Sequence, residues 1–125
     1  GLYNPDLELL TPRPSSVGLG AELFLQLMQS QPQVDAIFFG NDDLAQGALL
    51  EAMRCGIKVP EQVAVLGFND LPSSEHMVPR LSSISTPREA IGRRAAEQML
   101  TLLAGNSVAE PVVDMGFELR VREST

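Results

Sequence analysis

Residues 34–70, VDAIFFGNDDLAQGALLEAMRCGIKVPEQVAVLGFND, decide how the chain folds. The run VDAIFFG at 34–40 is continuously apolar and bounded by turn signals, which predicts a strand buried on both faces. Asn41 follows at once and suits a helix N-cap. Asp42 and Asp43 then stand where a helix dipole favours negative charge. Ala45, Ala48, Leu49 and Ala52 recur at the helical period, and Gly56 is placed to end the helix. VAVLGF at 63–68 predicts a second buried strand, and Asn69-Asp70 follows it as Asn41-Asp42 follows the first.

Working outward, the same alternation continues on both sides. Residues 1–6 read as the end of a loop, and 7–11 (LELLT) as a strand. Ser16 can cap a helix carrying Leu19, Leu23, Phe24, Leu27 and Met28, stopped at Gln31-Pro32. Downstream, LPSSEHM has room for one short helix before Pro79. LSSI at 81–84 reads as a third strand segment. Thr86, Pro87 and Glu89 have the form of a capping box with Pro at the first helical position. The helix they start carries Ile91, Ala95, Met99, Leu102 and Leu103 on one stripe and ends at Gly105. PVVDM and GFELRV read as two final short strands. This order predicts a three-layer α/β fold, a mainly parallel sheet with helices on both faces.

Composition narrows the function. The 125 residues carry a net charge of −7, so the segment opposes rather than seeks the phosphate backbone of nucleic acid. Cys55 is the single cysteine, which excludes an internal disulfide and a zinc cluster and favours a reducing, cytoplasmic setting. No apolar run approaches the roughly 18 residues of a membrane span. The start lacks both a basic n-region and an initiator Met, and the chain is expected to be a segment of a longer protein.

Ligands of open parallel sheets bind beyond the carboxyl ends of the strands. Asn41, Asn69 and Asp70 would share that edge, joined by Arg13, Ser15 and Ser16 of the loop TPRPSS. Asn amides both donate and accept, which suits a polyhydroxylated ligand. Plainer readings stand beside these: a helix cap for Asn41, helix-start charge and turn chemistry for Asp42, Asp43 and Asp70, and a solvated surface arginine for Arg13, whose alternative is a bidentate grip on a carboxylate. Catalysis has little to work with. His76 is the lone histidine, Cys55 sits where packing is commoner than nucleophilic chemistry, and adjacent Asp42 and Asp43 diverge on a helix turn. No phosphate-cradling glycine loop is present. No cofactor or metal is predicted.

Several of these segments together resemble the lactose/galactose-repressor family of bacterial transcription regulators. FFGNDDLAQGALLEAMRCGIKVPEQVAVLGFND is similar to the family's strand, Asn-Asp pair, Ala-Gly helix, Gly-x-x-Val-Pro and second strand ending in Gly-Phe-Asp-Asp. VPRLSSISTPREAIGRRAAEQML resembles its Pro-Leu-Thr-Thr-Ile/Val segment with the following helix, and FELRVREST its closing Leu-x-x-Arg-x-Ser-Thr. The tail half looks closest to gluconate-operon repressors. The resemblance implies a periplasmic-binding-protein-like effector domain, here mainly its C-terminal lobe with elements of the second lobe. It implies a sugar or sugar acid in an interlobe cleft, homodimers, operator DNA contacted only through a headpiece lying outside these residues, and no membrane. By analogy Asn41 matches the Asn of Asn-Asp, Asn69 the first Asp of Gly-Phe-Asp-Asp, and Ser15 a frequent cleft aromatic. Gln46 and Met77 fall near dimer contacts, against a plainer reading as partly buried surface. Asn69 and Ser15 depart from the family pattern, removing a charge and a flat ring, and both departures suit an anionic ligand. The 87–104 helix packs in the other lobe by the same analogy, so its stripe is expected to lack cover, leaving the isolated chain self-associating or loosely packed there. A fragment of a periplasmic sugar-binding protein would share the fold but not the LSSISTPRE and FELRVREST segments. An α/β enzyme would need a nucleophile–base pair, metal set or phosphate loop.

Overall fold

A computed structural model describes residues 4–125; the reading of 1–3 as loop lies outside the described residues. Helix α1 (Val17–Ser30) is followed by β1 (Ala36–Phe38), α2 (Asp42–Cys55), β2 (Ala64–Phe68), β3 (Ser82–Ser85), α3 (Arg88–Leu103) and β4 (Glu118–Arg120), with single 3-10 turns at Pro5–Leu7 and Pro72–His76. The four strands form one sheet in the order β1-β2-β3-β4. The first three are parallel, with Phe38 beside Leu66 and Phe68 beside Ile84, and β4 runs antiparallel to β3. The α/β class and the parallel-dominated sheet are those expected.

The two central helices start and stop where local chemistry predicts. The Ser16 and Asn41 side chains accept from the backbone N–H groups of Leu19 and Leu44, each satisfying an otherwise orphaned first-turn donor. Gly56 ends α2 in the left-handed conformation. The predicted stripe Ala45, Ala48, Leu49 and Ala52 is buried with Phe24, Phe39, Val63, Val65 and Leu81 in one core. Helix α1 lies across α2 at a close crossing made by Gly20 and Gly47. A Cβ on Gly20 would run into the Leu44 carbonyl, and one on Gly47 into the Val17 carbonyl. Helix α2 in turn packs on β2.

Five sequence expectations fail, each for want of a partner or a donor. No strand forms over 7–11. Asn4 instead caps a 3-10 turn at Pro5–Leu7, and Leu10 stays exposed. PVVDM likewise finds no ladder, and Val112 is exposed. The strand β1 is not buried on both faces, because it stands at the sheet edge; Ala36 is exposed and Phe38 is 58% exposed. The capping box at Thr86 is not made either. Pro87 holds the cap position of α3 with no side-chain hydrogen bond to the first turn. Cys55 is exposed rather than packed. Finally, no residue of α3 is buried, so its apolar stripe is uncovered as the resemblance implies.

Candidate functional site at the carboxyl edge of the sheet

Because β1, β2 and β3 are parallel and nearly in register, the segments that leave them emerge at one edge. These are Gly40-Asn41, Asn69-Asp70 and Thr86-Pro87-Arg88. Asn69 and Asp70 both have positive φ, 104° and 51°. Such values are uncommon outside glycine, though asparagine and aspartate tolerate them best. The turn is held from several sides. The Asn69 N–H donates to the Ile84 carbonyl at 2.9 Å and the Asp70 N–H to Ser83 Oγ at 3.0 Å.

Beneath this turn lies Asp42, the first residue of α2, fully buried. Its carboxylate accepts from the Leu71 N–H at 2.7 Å, Ser74 Oγ at 2.6 Å and Ser83 Oγ at 2.6 Å. One side chain thus binds the start of α2 to the loop after β2, the Pro72–His76 turn and β3. Gly67 faces this carboxylate, and a Cβ there would collide with it. Asp42 is a structural anchor of the site, in keeping with helix-start and turn chemistry. The buried serines of β3 have the same logic. Ser83 is bound to Asp42, and Ser82 to the chain's last residues.

Those last residues close the lower side. Ser124 is buried, accepts from the Ser82 N–H at 2.8 Å and donates to the Val65 carbonyl at 2.6 Å. Arg122 donates to the Leu81 carbonyl at 2.7 Å, to Asp70 Oδ1 at 2.7 Å and to Glu75 at 3.2 Å. The segment Leu119-x-x-Arg122-x-Ser124-Thr125 is therefore a latch that joins β2, β3 and the Asn69-Asp70 turn. Glu123 pairs with Arg80 through the backbone N–H and the guanidinium, which lowers the Glu123 pKa and raises that of Arg80.

The predicted site residues divide into two groups. Asn41 donates through Nδ2 to Ser15 Oγ at 2.7 Å, so these two are brought together while Asn41 Oδ1 caps α2. Asn41 flanks Asp42 and so neighbours the Asn69 turn. Among the described residues the Asn69 side-chain amide has no hydrogen-bond partner. Asp70 is occupied, its carboxylate paired with Arg122 and 4.0 Å from Arg120. Arg13 does grip a carboxylate bidentately, but that of Glu22 in α1, at 2.6 and 3.3 Å. The side-chain hydrogen bond and charge pairing raise the Arg13 pKa and lower that of Glu22. Gln46 is 8% exposed and donates to Ser73 Oγ at 2.8 Å, and Met77 packs on the core. Partial desolvation and the Glu51 carboxylate push the Cys55 thiol pKa up, away from nucleophilic use.

Three contributors escaped sequence reading. Arg122 and Ser124 were visible as a motif without a role. Arg88 reaches this edge as well, its Nη2 donating to the Asp70 carbonyl at 3.3 Å. A groove of about 860 Å³ runs along the first turns of α3 from Thr86 to Glu97; Arg88 lines it, and Asn41 and Asn69 do not. We place the site at the sheet edge because the polar groups converge there. Among the described residues no cluster of three or more His, Cys, Asp or Glu could hold a metal, and no helix is long and apolar enough to cross a membrane.

The parallel strands thus bring both Asn-Asp turns to one carboxyl edge, latched by an Arg-x-Ser-Thr tail. The chain belongs to the periplasmic binding protein-like domain family, whose model matches residues 2–125. It is 74% identical over its whole length to the HTH-type transcriptional regulator GntR of Pseudomonas aeruginosa, covering 36% of that protein. Over 111 residues, 89% of this chain, it is 41% identical to the regulator of the same name from Escherichia coli K12, covering 34% of it. The crystal structure of transcription regulator GntR from Chromobacterium violaceum superposes with a TM-score of 0.89 at 42% identity, over 98% of this chain and 45% of that one. A transcriptional regulator CelR–cellobiose complex gives 0.81 at 33% identity, over 88% and 34%. The chain spans about a third of the length of the curated relatives it matches.

Proposed function

We propose that these residues form the C-terminal part of the effector-sensing domain of a cytoplasmic transcription repressor that binds a sugar acid of the gluconate type. Closure around that ligand would control operator binding by a DNA-binding headpiece elsewhere in the whole protein. The observation that carries this reading is the unpartnered Asn69 amide, held in a strained turn at the sheet edge beside the Asn41–Ser15 pair. Strain at a buttressed turn is characteristic of binding sites. An amide in place of a carboxylate removes one charge that would repel an anion. The kinship with GntR regulators supports the same reading, and the absence of any nucleophile–base arrangement at this edge favours sensing over catalysis. Calorimetry on the intact regulator tests it. Gluconate or a ketogluconate should bind more tightly than neutral hexoses, and the reverse order would sink the reading.

The reading includes a homodimer. Gln46, Leu50 and Met53 share one face of α2, where Leu50 and Met53 are exposed, and Met77 adjoins exposed Val78. Leu50→Arg should lower the mass seen by sedimentation, and an unchanged mass would remove this face from the interface.

A further inference from the structure

The chain has eight arginines, and seven have a carboxylate within ion-pair reach. Arg13 has Glu22, Arg54 has Glu51, Arg80 has Glu123, Arg93 has Glu89, and Arg94 has Glu97. Arg120 has Glu118, and Arg122 has Asp70 and Glu75. Arg88 alone has none among the described residues. Its one side-chain hydrogen bond among the described residues goes to a neutral acceptor, the Asp70 carbonyl. Lys58 also lacks an ion pair, but it lies between α2 and β2, at the opposite edge of the sheet.

The place of Arg88 matters more than its freedom. Its contact with the Asp70 carbonyl sets the guanidinium at the Asn69-Asp70 turn, where the Asn69 amide has no partner among the described residues. The carboxylate of Asp70 is engaged by Arg122, which also takes Glu75, that of Glu118 by Arg120 and that of the adjoining Glu89 by Arg93. An exposed guanidinium held by one neutral contact and free of any ion pair, at the same turn as an open amide, fits a ligand that has a carboxylate at one end and hydroxyls along the rest.

We propose that Arg88 binds the carboxylate of the effector while Asn69 reads its hydroxyls, which makes Arg88 the residue that selects a sugar acid over the neutral polyol. This rests on the sugar-acid reading above and assigns the selectivity to one side chain.

The test is calorimetry on the intact regulator with gluconate and with glucitol, which has a hydroxymethyl group where gluconate has the carboxylate. Arg88→Met should weaken gluconate binding by about 10- to 100-fold, the range of a lost charged hydrogen bond, and leave glucitol binding unchanged. Arg88→Lys should fall between, keeping the charge without the fork. Should the Met variant not fold, Arg88→Gln, which can still donate to the Asp70 carbonyl, gives the same readout. If the parent prefers gluconate and the Met or Gln variant binds it within about twofold of the parent, Arg88 is not the anchor and the inference falls alone. If the parent binds neither compound, or prefers glucitol, the sugar-acid reading falls and takes this inference with it.

Discussion

The carboxyl edge of the sheet and helix α3 are built on opposite terms. At the edge, the buried polar groups are each answered: Asp42 by three donors, Ser82, Ser83 and Ser124 by one another's segments and by backbone. No buried side-chain polar atom among the described residues lacks a partner. Along α3 the pattern inverts. Its apolar side chains lie in the open, Leu103 at 76% exposure and Leu100 at 67%, while its ion pairs join neighbours on the helix or the next loop and only Arg88 reaches back to the edge. A fully satisfied buried network fixes geometry, because each broken bond leaves a desolvated group unpaired. An uncovered stripe fixes nothing until something covers it, and covering one large apolar side chain gains about 1.5–3 kcal/mol. The buried framework of the edge is therefore complete among the described residues, and the apolar stripe of α3 is uncovered.

Asp42→Ala is the most severe way to test that contrast. It strands the Leu71 amide and two serine hydroxyls, at about 1–3 kcal/mol each, so a loss of about 4 kcal/mol or more is expected in urea unfolding of the 125-residue chain. Asp42→Asn should be milder, since one oxygen still accepts and the serine hydroxyls can turn. A loss below about 1 kcal/mol for the Ala variant would mean that the network relaxes, against the cost expected of stranded buried donors. Gly67→Ala probes the same network by crowding it. Its methyl must displace the Asp42 carboxylate and crowd the Leu81 side chain, and overpacking of this sort costs about 1–3 kcal/mol.

On the other side of the comparison, Leu103→Ser should change the stability of this chain by less than about 0.5 kcal/mol, as surface substitutions do. The α3 amides should exchange with deuterium well before those of α2. Strong protection of α3 in a monomer would erase the distinction drawn here, and protection that appears only with self-association would show that a second molecule supplies the cover. A larger loss for Leu103→Ser in the intact regulator than in this chain would show that the stripe is covered there.

Much of the edge was legible from residue order. Asn41, Ser16 and Gly56 announce their helix ends because capping is local chemistry, decided within four residues. The core stripe of α2 was legible for the same reason of period. What could not be read was anything set by distant partners. Asp42 appears in sequence as ordinary helix-start charge, and its three donors lie 29, 32 and 41 residues away. Arg122 and Ser124 form a visible motif whose purpose appears only once β2 and β3 lie beside it. Strands 7–11 and 111–115 have strand-like composition, yet a strand exists only where a ladder receives it. The candidate site was half legible. Its asparagines were proposed from the strand ends, whereas the pairing of Asp70 with Arg122 and the lack of an ion pair at Arg88 depend on how eight arginines share their carboxylates across the fold.

The smallest effect sharpens the comparison at the latch itself. Glu123 is exposed, so its pairing with Arg80 is screened by salt and adds little to stability at neutral pH. Its pH signature is nevertheless defined. The Arg80 backbone N–H first, and then the Arg80 side chain, lower the Glu123 pKa in the folded state. A carboxylate with a depressed folded pKa contributes stability that is fully present above its unfolded pKa, about 4.3, and that disappears as pH falls through the folded value. Glu123→Gln should therefore lower the melting temperature slightly at pH 7 and have no effect at the acid end, and the loss of stability on acidification should become shallower. Raising the salt concentration at pH 7 should shrink the difference. If parent and variant lose stability in parallel from pH 6 to pH 3, the latch is held by Arg122 and the buried Ser124 without Glu123, and the polar network at the sheet edge ends one residue deeper than the surface pair suggests.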